Sequence, residues 1–430
     1  MVELADTPAL GAGGRKPVGV RVPFSALIAA GSLRARLCMW LCLRAAHLRF
    51  NSLAIGFLRN AEKAMRLLLA PNSFKECAQS CVVAELMRRE CAKRGIDARV
   101  LPLSDGGDGF VRACAAVLPL QLTSQTIRRC YDDKATAAEF AWDPISRTRY
   151  LESANIIGLK NVPQMARDPL HLNTENLGRL LHACRHTSHV VIGVGGTATN
   201  DLGLGLCRPF GLRLFDARGS ELDIEPAQYP SVARIVLPTR APYIIDAVLD
   251  VRIPLAGRIG TAHVFARQKG ATDQDVLVLE QGTKNILRIL RLQHGIDLRR
   301  RMVGAGGGLC IGLSLISPLR IIRSRDFMYR TLHLKEAVAS SDVIVTGEGR
   351  FDAQSLLEKA TGVLVGEALR QRKEIIVVTG RVDTTVKKKV KSKLLSFIEL
   401  TAMFGTDEAA MRHFKKGISH AMQEILSIYC

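Results

Sequence analysis

Aromatic side chains are scarce, 5% of 430 residues, whereas glycine reaches 36 and clusters in short runs. That balance disfavours an all-β sandwich and suits an α/β chain turned by glycine. The eleven cysteines form no C-x-x-C pair. Their scatter excludes a disulfide framework or a zinc site and implies reduced, mostly buried thiols in a cytoplasmic protein. Cys77 and Cys81, four apart on an expected helix, read as core residues. The longest strongly apolar run, Leu37 to Leu43, is bracketed by Arg36 and Arg44. It falls far short of the ~20 residues needed to cross a bilayer, so no membrane span is expected. No recognition-helix motif, RNP-type aromatic pattern or zinc finger accompanies the net charge of +20, so nucleic acid is not the expected partner. Nor is there a Walker motif or a correctly spaced dinucleotide fingerprint.

What is present divides near residue 65. Residues 1–64 carry nine Lys or Arg against three acids, and no Asp or Glu stands between Thr7 and Ala61. An Arg-rich, acid-poor stretch of this kind reads as an organellar address or as translated leader sequence, the leader being favoured. The remaining surplus of positive charge is diffuse and suits attraction of small anionic substrates. The length predicts two domains plus an appendage.

From Met65 the sequence repeats strand, glycine turn and helix. Leu67 to Ala70 predicts a strand, Cys81 to Lys93 a helix, and Arg99 to Leu103 a second strand that enters Ser104-Asp105-Gly106-Gly107-Asp108-Gly109. Carboxylates among glycines there fit either a plain turn or a loop that approaches phosphate or Mg²⁺. His189 to Ile192 predicts a strand running into Gly193-Val194-Gly195-Gly196-Thr197-Ala198-Thr199-Asn200-Asp201. If a helix opens there, its exposed N–H groups would hold an anion. Gly304 to Leu309 fits tight packing or ligand contact. Val343 to Thr346 predicts a strand entering Gly347-Glu348-Gly349-Arg350-Phe351-Asp352-Ala353-Gln354, and Ile375 to Thr379 repeats the pattern. His182, His186 and His189 lack the H-E-x-x-H pattern of a metal site, and Lys387 to Lys393 reads as a solvated helix face.

Taken in order, Ala70-Pro-Asn-Ser-Phe-Lys75, Ser104 to Gly109, Gly193 to Asp201, Gln268-Lys-Gly-Ala271, Gly304 to Leu309 and Thr346 to Gln354 resemble the successive signatures of bacterial-type glycerate kinases. The resemblance covers about residues 65–425. It implies an α/β fold of two domains: a Rossmann-like parallel-sheet domain (65–115 and 290–430) interrupted by a second α/β domain (116–289), with 1–64 as an extension. It also implies phosphoryl transfer from ATP, with Mg²⁺, to D-glycerate, the 2-position being favoured. A homo-oligomer is left open.

On this reading Gly195, Gly196 and Thr197 cradle phosphate, joined by Asn200, Glu348 and Gly349 in cofactor binding. Lys75 neutralises the transferring group. Asp105 and Asp201 stand near Mg²⁺ or the attacking hydroxyl, unless each caps the helix that follows. Arg350 clamps the substrate carboxylate, and Glu348 and Asp352 either position Arg350 or hold metal. The family usually has Asp where Asn72 stands and Gly where Glu76 and Leu202 stand. It has Asp-Asn at the positions of Arg252 and Ile253. The departures at Arg252 and Ile253 keep one rival in view, a homologue that binds without turnover, and the net charge of +20 keeps a second, a basic nucleic-acid-associated protein.

Overall fold

The chain divides between Ala64 and Met65. This computed structural model describes residues 65–430, less 75–76, 185, 251–252, 299–301, 354, 357–358, 391 and 430 and the side chains of 388 and 389. The expected extension 1–64 lies outside the described residues. In chain order the strands are β1 (Leu67–Leu69), β2 (Ala98–Val100), β3 (Gln121–Arg128), β4 (Ala135–Asp143), β5 (Thr148–Glu152), β6 (His189–Gly193), β7 (Arg213–Phe215), β8 (Glu221–Leu222), β9 (Arg234–Val236), β10 (Ile244–Leu249), β11 (Leu319–Arg323), β12 (Val343–Phe351), β13 (Glu374–Val382) and β14 (Leu395–Glu399).

β1 reads Leu-Leu-Leu and is buried throughout. It lies between two parallel neighbours, β12 and β2. A strand covered on both faces needs apolar residues at every position rather than at alternate ones. The first sheet runs β14-β13-β12-β1-β2, all parallel. Because the chain leaves β1 toward β2 and returns on the other side at β12, strand order reverses between β1 and β12. Loops leaving the carboxyl ends of such strands diverge and open a crevice, the usual ligand position in a doubly wound sheet.

The second sheet runs β11-β10-β6-β5-β4-β3. β11, β10, β6 and β5 are parallel, and β4 and β3 close one side antiparallel. A third, small antiparallel sheet runs β8-β7-β9, with Leu214 and Ile235 packed in the second sheet's core. The interruption expected to end at residue 289 is longer in the strand pairing, because β11 still pairs with β10. The helix Cys310–Ile316 likewise buries its apolar residues in the second sheet's core. The glycine-rich approach to that helix carries no hydrophobic period that would assign it to one sheet or the other.

The two sheets share a core. Leu68, Ala70, Ile344 and Val377 of the first sheet cluster with Ala141, Tyr150, Val191 and Val248 of the second. Between them pack Phe110 and Phe327, whose ring centroids are 5.3 Å apart. The other face of the first sheet is covered by the helices Ser80–Lys93 and Phe414–Tyr429, through Met87, Cys91, Ile418 and Met422. Thr272 and Asp275 form a reciprocal capping box at the start of the helix Asp273–His294, and Gly295, with φ of 67°, ends it. Among the described residues no helix is long and apolar enough to cross a membrane.

Gly306, Gly307 and Gly308 take φ values of 61°, 69° and 81° in succession. The resulting turn lies against the segment after β6, with Leu202 N donating to Gly307 O at 3.0 Å. A Cβ on Gly307 would stand 2.2 Å from Thr199 O. Gly307→Ala therefore meets both a left-handed backbone and a collision with main chain. We expect a loss of about 2–4 kcal/mol, read as a lowered denaturation midpoint; an unchanged midpoint would show that this turn yields freely.

Candidate active site

The crevice at the ends of β1 and β12 is lined from three directions. Asn72, just beyond β1, is fixed by its backbone N–H, which donates to Gly347 O at 2.8 Å. Its side-chain amide donates to Asp105 Oδ2 at 3.2 Å. Where the family's usual Asp would set two carboxylates facing each other, Asn72 supplies a neutral donor. The other oxygen of Asp105 accepts from Ala360 N at 2.5 Å. That N–H opens the helix Ala360–Arg370, where a carboxylate complements the unpaired N–H groups and the helix dipole.

Glu348 sits on β12 itself and is 6% exposed, yet its Oε1 has no hydrogen-bond partner. Burial pushes its pKa up to about 7. Ser355 and Lys359 oppose that shift, and Asp105 and Asp352 add to it. Asp352 Oδ1 accepts from Ser355 N at 3.1 Å. Asp105, Glu348 and Asp352 thus form one electrostatically coupled group. Arg350 does not join it: its side chain is exposed, beside Arg381 on the neighbouring strand. Gly349 stands between them, with its carbonyl oxygen 2.4 Å from where a Cβ on Gly380 would be.

The Ser104–Gly109 loop crosses from the first sheet onto the second. A Cβ on Gly193 would lie 2.6 Å from Gly106 O, and one on Gly195 would lie 3.0 Å from Gly107 Cα. The two glycine-rich loops are therefore in backbone contact. Glu152, 1% exposed, holds the far end of the first loop by accepting from Gly109 N at 2.9 Å and Val111 N at 3.3 Å. Its pKa, too, is pushed up to about 7, first by burial.

The expected helix after Gly193–Asp201 is only the four-residue Leu204–Cys207, too short to supply a useful dipole. The loop is instead held by side chains and by its own backbone. Ser153 Oγ donates to Gly193 O at 2.9 Å and accepts from Gly195 N at 3.2 Å. Gly196 O and Ala198 N are bonded to Leu159 N and Ile157 O. Among the described residues no acceptor takes the N–H of Gly196 or Thr197. Of the expected cradle, Gly195 N is thus engaged, whereas the N–H groups of Gly196 and Thr197 are unclaimed.

Asp201 is fully buried. Its carboxylate accepts from Thr174 N at 2.8 Å, Thr174 Oγ1 at 2.7 Å, Gly203 N at 3.2 Å and Gly205 N at 3.1 Å. Burial raises its pKa against the pull of those donors. With its oxygens so engaged, Asp201 braces the loop. Asn200 is 1% exposed, and neither its Nδ2 nor its Oδ1 has a partner. Lys75, Arg252 and Gln354 lie outside the described residues. Ile253 O accepts from Gly304 N at 2.8 Å, a packing contact.

A further residue of these motifs is buried at the loop without any role that its spacing predicts. Lys269, from Gln268-Lys-Gly-Ala271, is 3% exposed and donates to Thr199 O at 2.6 Å and Thr197 Oγ1 at 3.3 Å. Its sequence signal is its place before Gly270 in that motif, a glycine that the structure shows in the left-handed region with φ of 101°. Among the histidines, His182 packs edge-on to Phe210 and His189 pairs with Asp246 at 3.0 Å. Among the described residues no three His, Cys, Asp or Glu side chains converge as a metal site.

Replacing Asp201 by Asn turns an amide group toward donors that require an acceptor. Asp201→Asn should lose about 3 kcal/mol of stability, equally with Mg²⁺ and with a chelator. A loss confined to Mg²⁺-containing buffer would instead make Asp201 a metal ligand.

The glycerate kinase family profile matches residues 67–430. Glycerate kinase from Bacillus subtilis is 32% identical over 303 residues, covering 68% of this chain and 78% of its own. Glycerate 2-kinase from Escherichia coli is 26% identical over 370 residues, covering 84% and 97%. A crystal structure described as a glycerate kinase 2 from Salmonella typhimurium LT2 superposes with a TM-score of 0.68 at 24% identity, over 85% of this chain and 98% of that one. That superposition supports the α/β fold. With the profile spanning most of its length, this chain belongs to the glycerate kinase family.

Proposed function

We propose that the chain transfers the γ-phosphoryl group of ATP to the 2-hydroxyl of D-glycerate, giving 2-phosphoglycerate and ADP. The observation that carries this reading is the buried, unpartnered Glu348 Oε1 beside Asp105 at the strand reversal, in the same unit as a glycine loop with two unclaimed N–H groups. The name of the Escherichia coli relative supports the 2-position. Buried thiols such as Cys114, Cys207 and Cys310 support a reducing, cytoplasmic setting.

Phosphoryl transfer asks the protein mainly for alignment and charge neutralisation. Gly196 and Thr197 would direct their N–H groups at the phosphates, with Gly107 leaving room for close approach. Asp105 and Asp352 would supply the hard oxygens that suit Mg²⁺, Asp105 while still accepting from Asn72 and Ala360, since the ion takes one or two carboxylates together with substrate phosphate and water. Mg²⁺, when bound, supplies neutralisation of phosphate charge. Lys75 adds a cation for the group in transfer, and Arg350 a planar fork for the glycerate carboxylate. As the glycerate oxygen bonds to phosphorus and the bridging oxygen departs with ADP, Glu348 accepts the hydroxyl proton. A pKa near neutrality suits that task.

Phosphorus NMR of the product formed from ATP and D-glycerate tests the reaction and its regiochemistry together; an absence of phosphoglycerate would overturn it. For Glu348 the sign is definite. A base with a pKa about 7 is ionised above that pH, so turnover falls as pH drops through it. Glu348→Gln should cut kcat by about 100-fold or more, in keeping with the loss of a general base, and should remove that acid limb. The folded pKa lies above the ordinary carboxyl value, so Glu348 destabilises the fold once pH exceeds the unfolded pKa, and Glu348→Gln should melt higher at pH 8. Turnover within a few-fold of wild type would remove Glu348 from the reaction.

A further inference from the structure

Among the described residues Lys269 is the one lysine or arginine that is buried. Its ammonium has three donor hydrogens, of which Thr199 O and Thr197 Oγ1 take two. Asp201 is the one charged group acting on it, and burial lowers its pKa to about 8. Arg167, whose carbonyl borders Gly270, directs its own Nε to Val162 O at 3.2 Å. The carboxylate of Asp201 is engaged by Thr174, Gly203 and Gly205. A buried cation without an ion-pair partner is a costly way to tie down a loop, since a hydroxyl or an amide would make the same two bonds without desolvating a charge.

The charge has a use if the loop faces an anion. Lys269 touches Thr197, one of the two residues with an unclaimed N–H, and Thr199, the next but one. Thr199 Oγ1, Asn200 Nδ2 and Asn200 Oδ1, immediately beyond, are buried and have no partner. A buried amide left unsatisfied on both atoms costs stability in the free protein. Its natural complement is a polar ligand. We propose that Lys269 is a positioning residue for phosphate binding: from beneath the Gly193–Asp201 loop it sets the Thr197–Thr199 turn and places a fixed positive charge behind the N–H groups of Gly196 and Thr197. This rests on the reading of that loop as the nucleotide's phosphate cradle.

The test uses the full chain, with ADP as the probe in calorimetric titration and steady-state kinetics alongside. Lys269→Met keeps the length of the stem and removes the charge. At pH 7 its melting temperature should be unchanged or higher. Its affinity for ADP should fall about tenfold or more, and KM for ATP should rise while KM for glycerate stays within a few-fold, as expected for loss of an electrostatic contribution confined to the phosphates. Wild-type affinity for ADP should hold to pH 7.5 and weaken severalfold by pH 9 as the ammonium discharges; the variant should lack that dependence. If Lys269→Met does not fold, the wild-type pH series decides alone. A folded variant that binds ADP as wild type does, or a wild-type affinity flat to pH 9, overturns the inference and leaves the kinase reading standing. A wild-type protein that binds no ADP and turns over no ATP overturns both.

Discussion

Backbone passes backbone too closely in this protein for side chains to intervene, and most of the architecture around the crevice follows from that constraint. A Cβ on Gly106 would lie 2.4 Å from Val248 O, one on Gly193 2.6 Å from Gly106 O, and one on Gly312 1.9 Å from Gly203 O. These contacts press the end of β2's loop onto the ends of β6 and β10 and press the helix Cys310–Ile316 onto the segment after β6. Real Cβ atoms do not approach so closely, and moving packed backbone aside disturbs the shared core. Because β1, β12, β6 and β10 all end near these crossings, the loops that carry polar groups are set by rigid strands rather than by their own flexible sequence. Leu202 shows the limit of the rule: a buried leucine at φ of 57° where the family usually has glycine. The left-handed backbone costs about 1 kcal/mol, less than the roughly 2–5 kcal/mol that removing a buried leucine forfeits.

The same constraint explains what the sequence reveals. Short apolar runs that enter glycine motifs are visible without a structure, so the strands at His189, Val343 and Ile375 and the loops that follow them are legible, and the strand at Leu67 is legible from its apolar run ending at Pro71. The return to the first sheet is not. Residues 290–323 contain a helix end, a glycine turn, a second helix and β11, and nothing in their periodicity says which sheet β11 joins. Side-chain roles were harder still. Asp201 closes a glycine motif as a ligand would, and its engagement depends on Thr174, a residue 27 positions away that carries no signal of its own. Lys269 is one lysine among many, and its burial follows from the path of Gly270 past Arg167 O, which spacing does not encode.

Glu152 and Glu348 separate structure from chemistry most clearly. Both are buried, and both have pKa values raised to about 7 by that burial. Glu152, however, accepts from two backbone N–H groups at the start of the helix Phe110–Val117. Its cost is offset by a cap and by the order it gives the Ser104–Gly109 loop. Glu348 has Asp105 and Asp352 opposing its ionisation while Ser355 and Lys359 favour it, and keeps one oxygen without a partner. A shifted pKa alone therefore does not mark a reacting group. The distinction lies in whether the surroundings satisfy the carboxylate.

Applied across the unit, that criterion sorts the buried polar residues into two sets. Glu152, Asp201, Ser153 and Thr346 have their polar atoms engaged by protein donors and acceptors, and they brace loops. Glu348, Thr199 and Asn200 keep buried polar atoms without partners, and Lys269 keeps a charge without an ion pair. Ser80, Arg149, Glu280 and Thr361 also keep such atoms, but Glu348 stands on β12, Thr199 and Asn200 just beyond β6, and Lys269 is bonded to Thr199, beside places where glycine lets main chain pass closest. Evolution tolerates unsatisfied buried groups only where something else repays them. In a fold whose loops are locked by backbone contact, such groups cannot relax toward protein partners, which supports reading those beside the glycine loops as the complement of a ligand.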